Sequence, residues 1–185
     1  MRYLLWLLFV ASLLLAAEEP GFTPLLGKDL RGWKAKKSGE SLEGQTETFK
    51  GRFTVRDGVL RINPKVKGDL TNETIHEIKG DVVIRFEFKP GKGCNNDLFF
   101  RGQKFDILSA DNQGKALAGV KLDIWNTMAI PVVGDTIEFQ VNGQSLRKGK
   151  TKKSSSTFGI CAEFGPIEIR NLRIKEGNEQ HSDRL

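Results

Sequence analysis

Apolar and polar residues alternate with a period of two along most of this chain, the spacing of strands with one buried and one wet face. In residues 81–89, Val82, Ile84, Phe86 and Phe88 fall on one side, and Arg85, Glu87 and Lys89 on the other. In 135–142, Ile137, Phe139 and Val141 alternate with Thr136, Glu138, Gln140 and Asn142. Residues 51–63 read as a hairpin in which Phe53 and Val55 precede Asp57-Gly58, and Val59, Leu60 and Ile62 follow it. Asp-Gly favours a tight two-residue turn because both positions need positive φ, and Asn142-Gly143 repeats the device before 144–146. Further strands are expected at 98–101, 104–108, 125–133, 157–163 and 167–175, and a single helical turn at 72–78. Many short strands punctuated by glycine turns predict an all-β fold, an antiparallel two-sheet β-sandwich. Trp33 and Trp125 lie in apolar strand or turn segments and are expected in its core.

The N-terminus breaks the alternation. Arg2, the unbroken apolar and small run 3–15, and Ala16-Ala17 before Glu18-Glu19-Pro20 form the three parts of a signal peptide. The run is short for a bilayer-spanning helix, which needs about 20 apolar residues, so a membrane anchor is the weaker alternative. The reading is therefore a signal peptide at 1–17, one sandwich domain at 18–176 and a polar tail at 177–185. It predicts a secreted or periplasmic protein with no membrane association after cleavage. The net charge of +6 contains Arg2, so removing 1–17 leaves +5 (6 − 1). Cations gather at 34–37 and 147–153, either as solvated loops or as attraction to an anionic polymer. No nucleic-acid motif is present, and no nucleic-acid partner is expected. Export permits a Cys94–Cys161 disulfide, although a buried thiol suits the apolar setting of Cys161 equally.

Only two histidines occur, His76 and His181, which leaves little for a multi-histidine metal centre or a Ser-His-Asp triad. No cofactor or metal is expected, though Asn95–Asp97 offers the oxygen type that Ca2+ prefers. Polar function is densest in 93–102 and 104–107, where Asn95, Asn96, Asp97, Arg101 and Asp106 interleave with aromatics. Rings stack on sugar C–H faces while amides, carboxylates and guanidinium groups bond hydroxyls, so a saccharide partner fits. An Asx-rich turn followed by a structural Arg101–Asp106 ion pair fits the same residues.

Several blocks taken in order carry a family resemblance. Gly21-Phe22-Thr23-Pro24-Leu25-Leu26-Gly27-Lys28-Asp29-Leu30-Arg31-Gly32-Trp33 resembles the opening motif of the 3-keto-disaccharide hydrolase domain family. Phe53–Leu60, Asp81–Phe88, Asn95–Arg101, Trp125-Asn126-Thr127, Val141-Asn142-Gly143 and Gly165–Glu176 are similar to its later blocks. The resemblance spans about 21–176. It implies a concanavalin- or laminin-G-like jelly roll, export, and cleavage of disaccharides oxidised at C3. A 3-keto group acidifies the neighbouring C2–H, so that chemistry needs a base, an acid for the leaving oxygen and a donor for the enolate. Where the family has E-x-Q this chain has Asp106-Ile107-Leu108, and where it has L-Q-x-H-G this chain has Cys161-Ala162-Glu163-Phe164-Gly165.

The catalytic candidates are accordingly Arg101, Asp106 and Glu163, with Asn95, Asn96, Asp97 and Gln140 binding substrate. This reading requires Arg101, Asp106 and Glu163 to meet in one pocket. Its rivals on the same fold are a non-catalytic carbohydrate-binding module and a cell-surface structural domain, for both of which a cell-envelope polysaccharide is a suitable partner.

Overall fold

The structure is a computed structural model that describes residues 19–67, 70–108 and 119–177, without the side chain of Leu108. Residues 1–18, with the expected signal peptide, His181 and all of the tail beyond Gly177 lie outside the described residues.

Among the described residues there are sixteen strands and no helix. They are β1 (Thr23–Pro24), β2 (Trp33–Ala35), β3 (Glu47–Thr48), β4 (Phe53–Arg56), β5 (Val59–Ile62), β6 (Leu70–Thr74), β7 (Ile78–Lys79) and β8 (Val82–Pro90). There follow β9 (Asn95–Phe100), β10 (Gln103–Leu108), β11 (Asn126–Val133), β12 (Thr136–Val141), β13 (Gln144–Lys150), β14 (Ser155–Ser156), β15 (Gly159–Phe164) and β16 (Ile167–Glu176). One sheet has nine strands, in the order β13-β12-β11-β8-β16-β5-β4-β3 with β1 also on β16. A second runs β10-β9-β15-β6-β2, and β14 pairs with β7 as a short ribbon. Every pairing is antiparallel, which makes an all-β sandwich.

The core lies between the sheets and follows from the alternation. Val82, Ile84, Phe86 and Phe88 point inward from β8, as do Ile137, Phe139 and Val141 from β12. Phe105 of β10 and Phe139 of β12 stack across the sandwich with ring centroids 4.5 Å apart. Trp33 is buried against Phe158, as the sequence implied, and its Nε1 donates to the Leu25 carbonyl at 2.6 Å.

Three expectations are corrected. Residues 70–74 form strand β6 rather than the start of a helical turn, as the β-branched Thr71 and Thr74 favour. Trp125 is only partly buried, and it packs beneath the Arg170 guanidinium at 3.9 Å instead of filling the core. The Cys94–Cys161 bridge does not form. Cys161 pairs in register with Asp97 on the outward side of β15, while the Cys94 thiol turns inward to the Ile107 carbonyl at 3.6 Å. Burial pushes the Cys94 thiol up to about 11, out of the reactive range.

Candidate active site

Strands β9, β10 and β15 lie side by side in the five-stranded sheet, and cross-strand register decides which side chains meet. Leu98 and Phe100 point inward from β9, so Asn95, Asp97 and Phe99 face outward. Asp97 stands opposite Asp106 of β10 and opposite Cys161 of β15. The ladder between β15 and β9 is irregular from Cys161 to Phe164, and Glu163 sits within that irregularity. The result is three carboxylates, Asp97, Asp106 and Glu163, with oxygens within 4.8 Å of one another.

Lys104, two residues before Asp106 on the same face of β10, supplies the compensating charge. Its Nζ lies 3.0 Å from Asp97 Oδ2 and 2.8 Å from Asp106 Oδ1. Asp97 is only 4% exposed. Burial, the hydrogen bond with Asp106 and the Glu163 charge together push its carboxyl up to about 7, against the opposing pull of Lys104. Burial alone would also raise Asp106, but hydrogen bonds from Asp97 and Lys104 outweigh it and hold that carboxyl below its ordinary value. The same two carboxylates raise the Lys104 ammonium above its usual value. Near neutrality the aspartate pair therefore shares one proton, which resides on Asp97. Buried Asn95 Oδ1 and Glu163 Oε2 have no hydrogen-bond donor, and with Asp97 ionised neither would its Oδ1. The spacing of the carboxylates suits a bound cation as well as the ammonium that now occupies part of it.

Other sequence candidates stand elsewhere. Arg101 does not join the carboxylates, so the constellation of Arg101, Asp106 and Glu163 does not form. Arg101 and Gly102 make the β9–β10 turn, with φ of 51° and 75°. The Arg101 side chain is 2% exposed and donates to the backbone carbonyls of Ser154 and, at 2.8 Å, Gly80. Its role is to staple that turn to its neighbours, and no ion pair with Asp106 forms. Asn96 is likewise inward-facing and 1% exposed. Its Nδ2 donates to the Phe164 carbonyl at 3.0 Å, and its Oδ1 accepts from the Glu163 backbone N–H at the same distance. It holds the backbone under Glu163 and is turned away from any ligand on the outer face. Because Asn95–Asp97 is strand with an inward middle member, it does not present three successive oxygens to one Ca2+. Gln140 belongs to the nine-stranded sheet, in a depression with Arg85, Thr127 and Arg173, and is no part of the cluster.

Sequence reading assigned no part to Lys104 or Phe164. The signal for Lys104 was its two-residue spacing from Asp106, which places both on one face of a strand. The opposite side of the sandwich holds a groove of about 460 Å³ along β16, lined by Glu87, Arg170 and Asn171 among others. Glu87 there accepts from Arg170 at 2.7 Å and Asn171 at 2.9 Å, so its polar groups satisfy one another.

Solved structures share this architecture. Two Parabacteroides distasonis ATCC 8503 proteins provisionally classed as glycosyl hydrolases align with TM-scores of 0.63 and 0.61, at 15% and 18% identity. The alignments cover 85% and 84% of this chain, and 95% and 99% of theirs. The carbohydrate-binding module CBM66 from Bacillus subtilis aligns at 0.51 and 12% identity, over 79% of this chain and 96% of its own. At such identities the likeness is one of fold. No match is found among curated proteins. The sandwich shares its fold with structures classed as glycosyl hydrolases and with a carbohydrate-binding module. The chain belongs to the 3-keto-alpha-glucoside-1,2-lyase-like domain family, whose profile matches residues 21–175.

Proposed function

We propose that this protein cleaves 3-keto-glycosides by elimination on the outer face of the five-stranded sheet. The observation that carries the reading is the meeting of Asp97, Asp106 and Glu163, with oxygens within 4.8 Å of one another and the Lys104 ammonium between the two aspartates. An elimination needs a base and an acid. Glu163 takes the proton from C2, which the C3 ketone has acidified, and the C2–H electrons form the C1=C2 double bond. The C1–O bond breaks, and Asp97 gives its proton to the departing oxygen. Lys104 is placed to stabilise negative charge on the C3 oxygen as the enolate develops. Asp106 accepts from Asp97 and keeps its proton in place. The products are an unsaturated 3-keto sugar and an alcohol, so no water is consumed in this step.

An export role belongs to the same proposal, and the signal-like residues 1–17 support it. Outside the cytoplasm the substrate would be an oxidised disaccharide or a fragment of envelope polysaccharide.

The test is turnover of a 3-keto-α-glucoside disaccharide by the full-length protein, followed through the ultraviolet absorbance of the conjugated product. Glu163→Gln and Asp97→Asn should each lower kcat/KM by about 100-fold or more. In the wild type kcat/KM should decline above pH 7, where Asp97 loses its proton. Full activity in Glu163→Gln would refute the assignment. Saccharide binding without turnover would instead mark a carbohydrate-binding module.

A further inference from the structure

We infer that Phe164 is the floor of a second sugar subsite, which takes the leaving ring of the disaccharide. The inference rests on the cleavage reading above and places the half of the substrate which that reading leaves open. Phe164 ends β15 and is 60% exposed, whereas most phenylalanines of the chain are buried. It stands opposite Asn95 in register, so the two side chains share the outer face that carries the carboxylates. Asn95 is two residues from Asp97 along β9, about 7 Å at the usual strand rise. That is roughly one sugar ring away from the proton donor.

The ring is held out on a rigid support. Asn96 Nδ2 donates to the carbonyls of Phe164 at 3.0 Å and Gly165 at 3.4 Å. Arg52, 1% exposed, donates to the Glu163 carbonyl at 2.7 Å. Gly165 has a φ of +67°, and a Cβ there would lie 2.3 Å from the Gly93 carbonyl oxygen, so the chain is pressed against its neighbour. An exposed aromatic face beside a cluster of carboxylates asks for a ligand with one apolar face and several hydroxyls. A pyranose is such a ligand. Its C–H face covers the phenyl ring, and its hydroxyls lie along the polar strip of Asn95 and the carboxylate cluster on the same face.

The experiment compares a 3-keto-α-glucoside disaccharide with methyl 3-keto-α-glucoside, which has no second ring. Phe164→Ala should lower kcat/KM for the disaccharide about tenfold more than for the methyl glycoside, mainly through KM. An unchanged ratio between the two substrates would overturn the subsite, while sensitivity to Glu163→Gln would leave the cleavage reading standing. If the wild type turns over neither substrate, the cleavage reading is what fails, and the subsite is judged by binding alone. Phe164→Trp is then titrated with the unoxidised disaccharide. A saturable change in fluorescence beyond that of the wild type supports stacking at this position, and an unchanged spectrum overturns it.

Discussion

Asp97 is a carboxyl group that the fold keeps protonated to a pH at which an ordinary aspartate is fully ionised. Its folded-state value of about 7 exceeds the unfolded value of about 3.9, so the proton binds the folded state more tightly. The stability it contributes is fully present below the unfolded value and is lost as pH rises through about 7. Asp106 runs the other way, because its depressed value contributes stability that is lost as pH falls through it. The midpoint of thermal unfolding should therefore decline as pH rises from about 4 to about 7 and level off above that. Asp97→Asn, which keeps the shape and cannot ionise, should flatten that decline and be the more stable protein at pH 8. Parallel pH profiles for wild type and variant would show that Asp97 is ionised throughout. Arg101 illustrates the opposite case, a charged side chain that looks functional in sequence and is consumed by structure. Its guanidinium is committed to carbonyls at the far side of a turn, and desolvation lowers its basicity.

Turns set the registers on which the cluster depends. Asp57-Gly58 and Asn142-Gly143 both adopt positive φ at both positions, and their residue types announced it. Arg101-Gly102 makes a third such turn, but arginine is a poor marker for the left-handed region, so its sequence suggested a strand end. The turn between β15 and β16 is the most constrained. Gly165→Ala puts a methyl group 2.3 Å from the Gly93 carbonyl oxygen at a positive φ, whereas the Cβ of Gly58→Ala meets open space. Gly165→Ala is expected to cost about 2–4 kcal/mol and to lower activity in the protein that still folds, since Glu163 and Phe164 precede it directly. Gly58→Ala should cost about 1 kcal/mol through its φ alone and leave activity unchanged. Urea unfolding and turnover of the two variants side by side check both halves. Strand existence was legible because alternation is local. Helical expectation at 72–78 failed because the pairing of β6 with β15 and β2 is not local and overrides a weak propensity.

At the scale of the whole molecule, the sandwich was readable from period-two burial, and the acid–base cluster was only partly so. Asp97, Asp106 and Glu163 come from three strands whose adjacency is a property of topology, and no spacing within the chain encodes it. The charge distribution adds a further consequence. Taken along the chain, the basic runs suggested attraction to an anionic polymer, but several of their cations are engaged within the fold. Lys34 pairs with Glu73, Lys150 with Asp135, and Lys36 lies over Phe99. On the nine-stranded face, Arg85 and Arg173 share Glu19, while Arg61 and Lys89 share Glu168. With Asp97 protonated, the cluster sets two carboxylates, Asp106 and Glu163, against the Lys104 ammonium, with Arg147 also acting on Asp106, on a protein whose net charge is +6. A neutral sugar meets no repulsion there, and a uronic acid would bring a further carboxylate close to Asp106 and Glu163. We therefore expect the KM of a neutral 3-keto-disaccharide to change by less than about twofold between 0.05 and 0.5 M salt. Its uronate counterpart should be cleaved at about a tenth of the efficiency or less at low salt, with part of that deficit recovered as salt screens the repulsion. A preference for the uronate, weakening as salt is added, would mean that the basic runs and not the carboxylates govern what this protein binds.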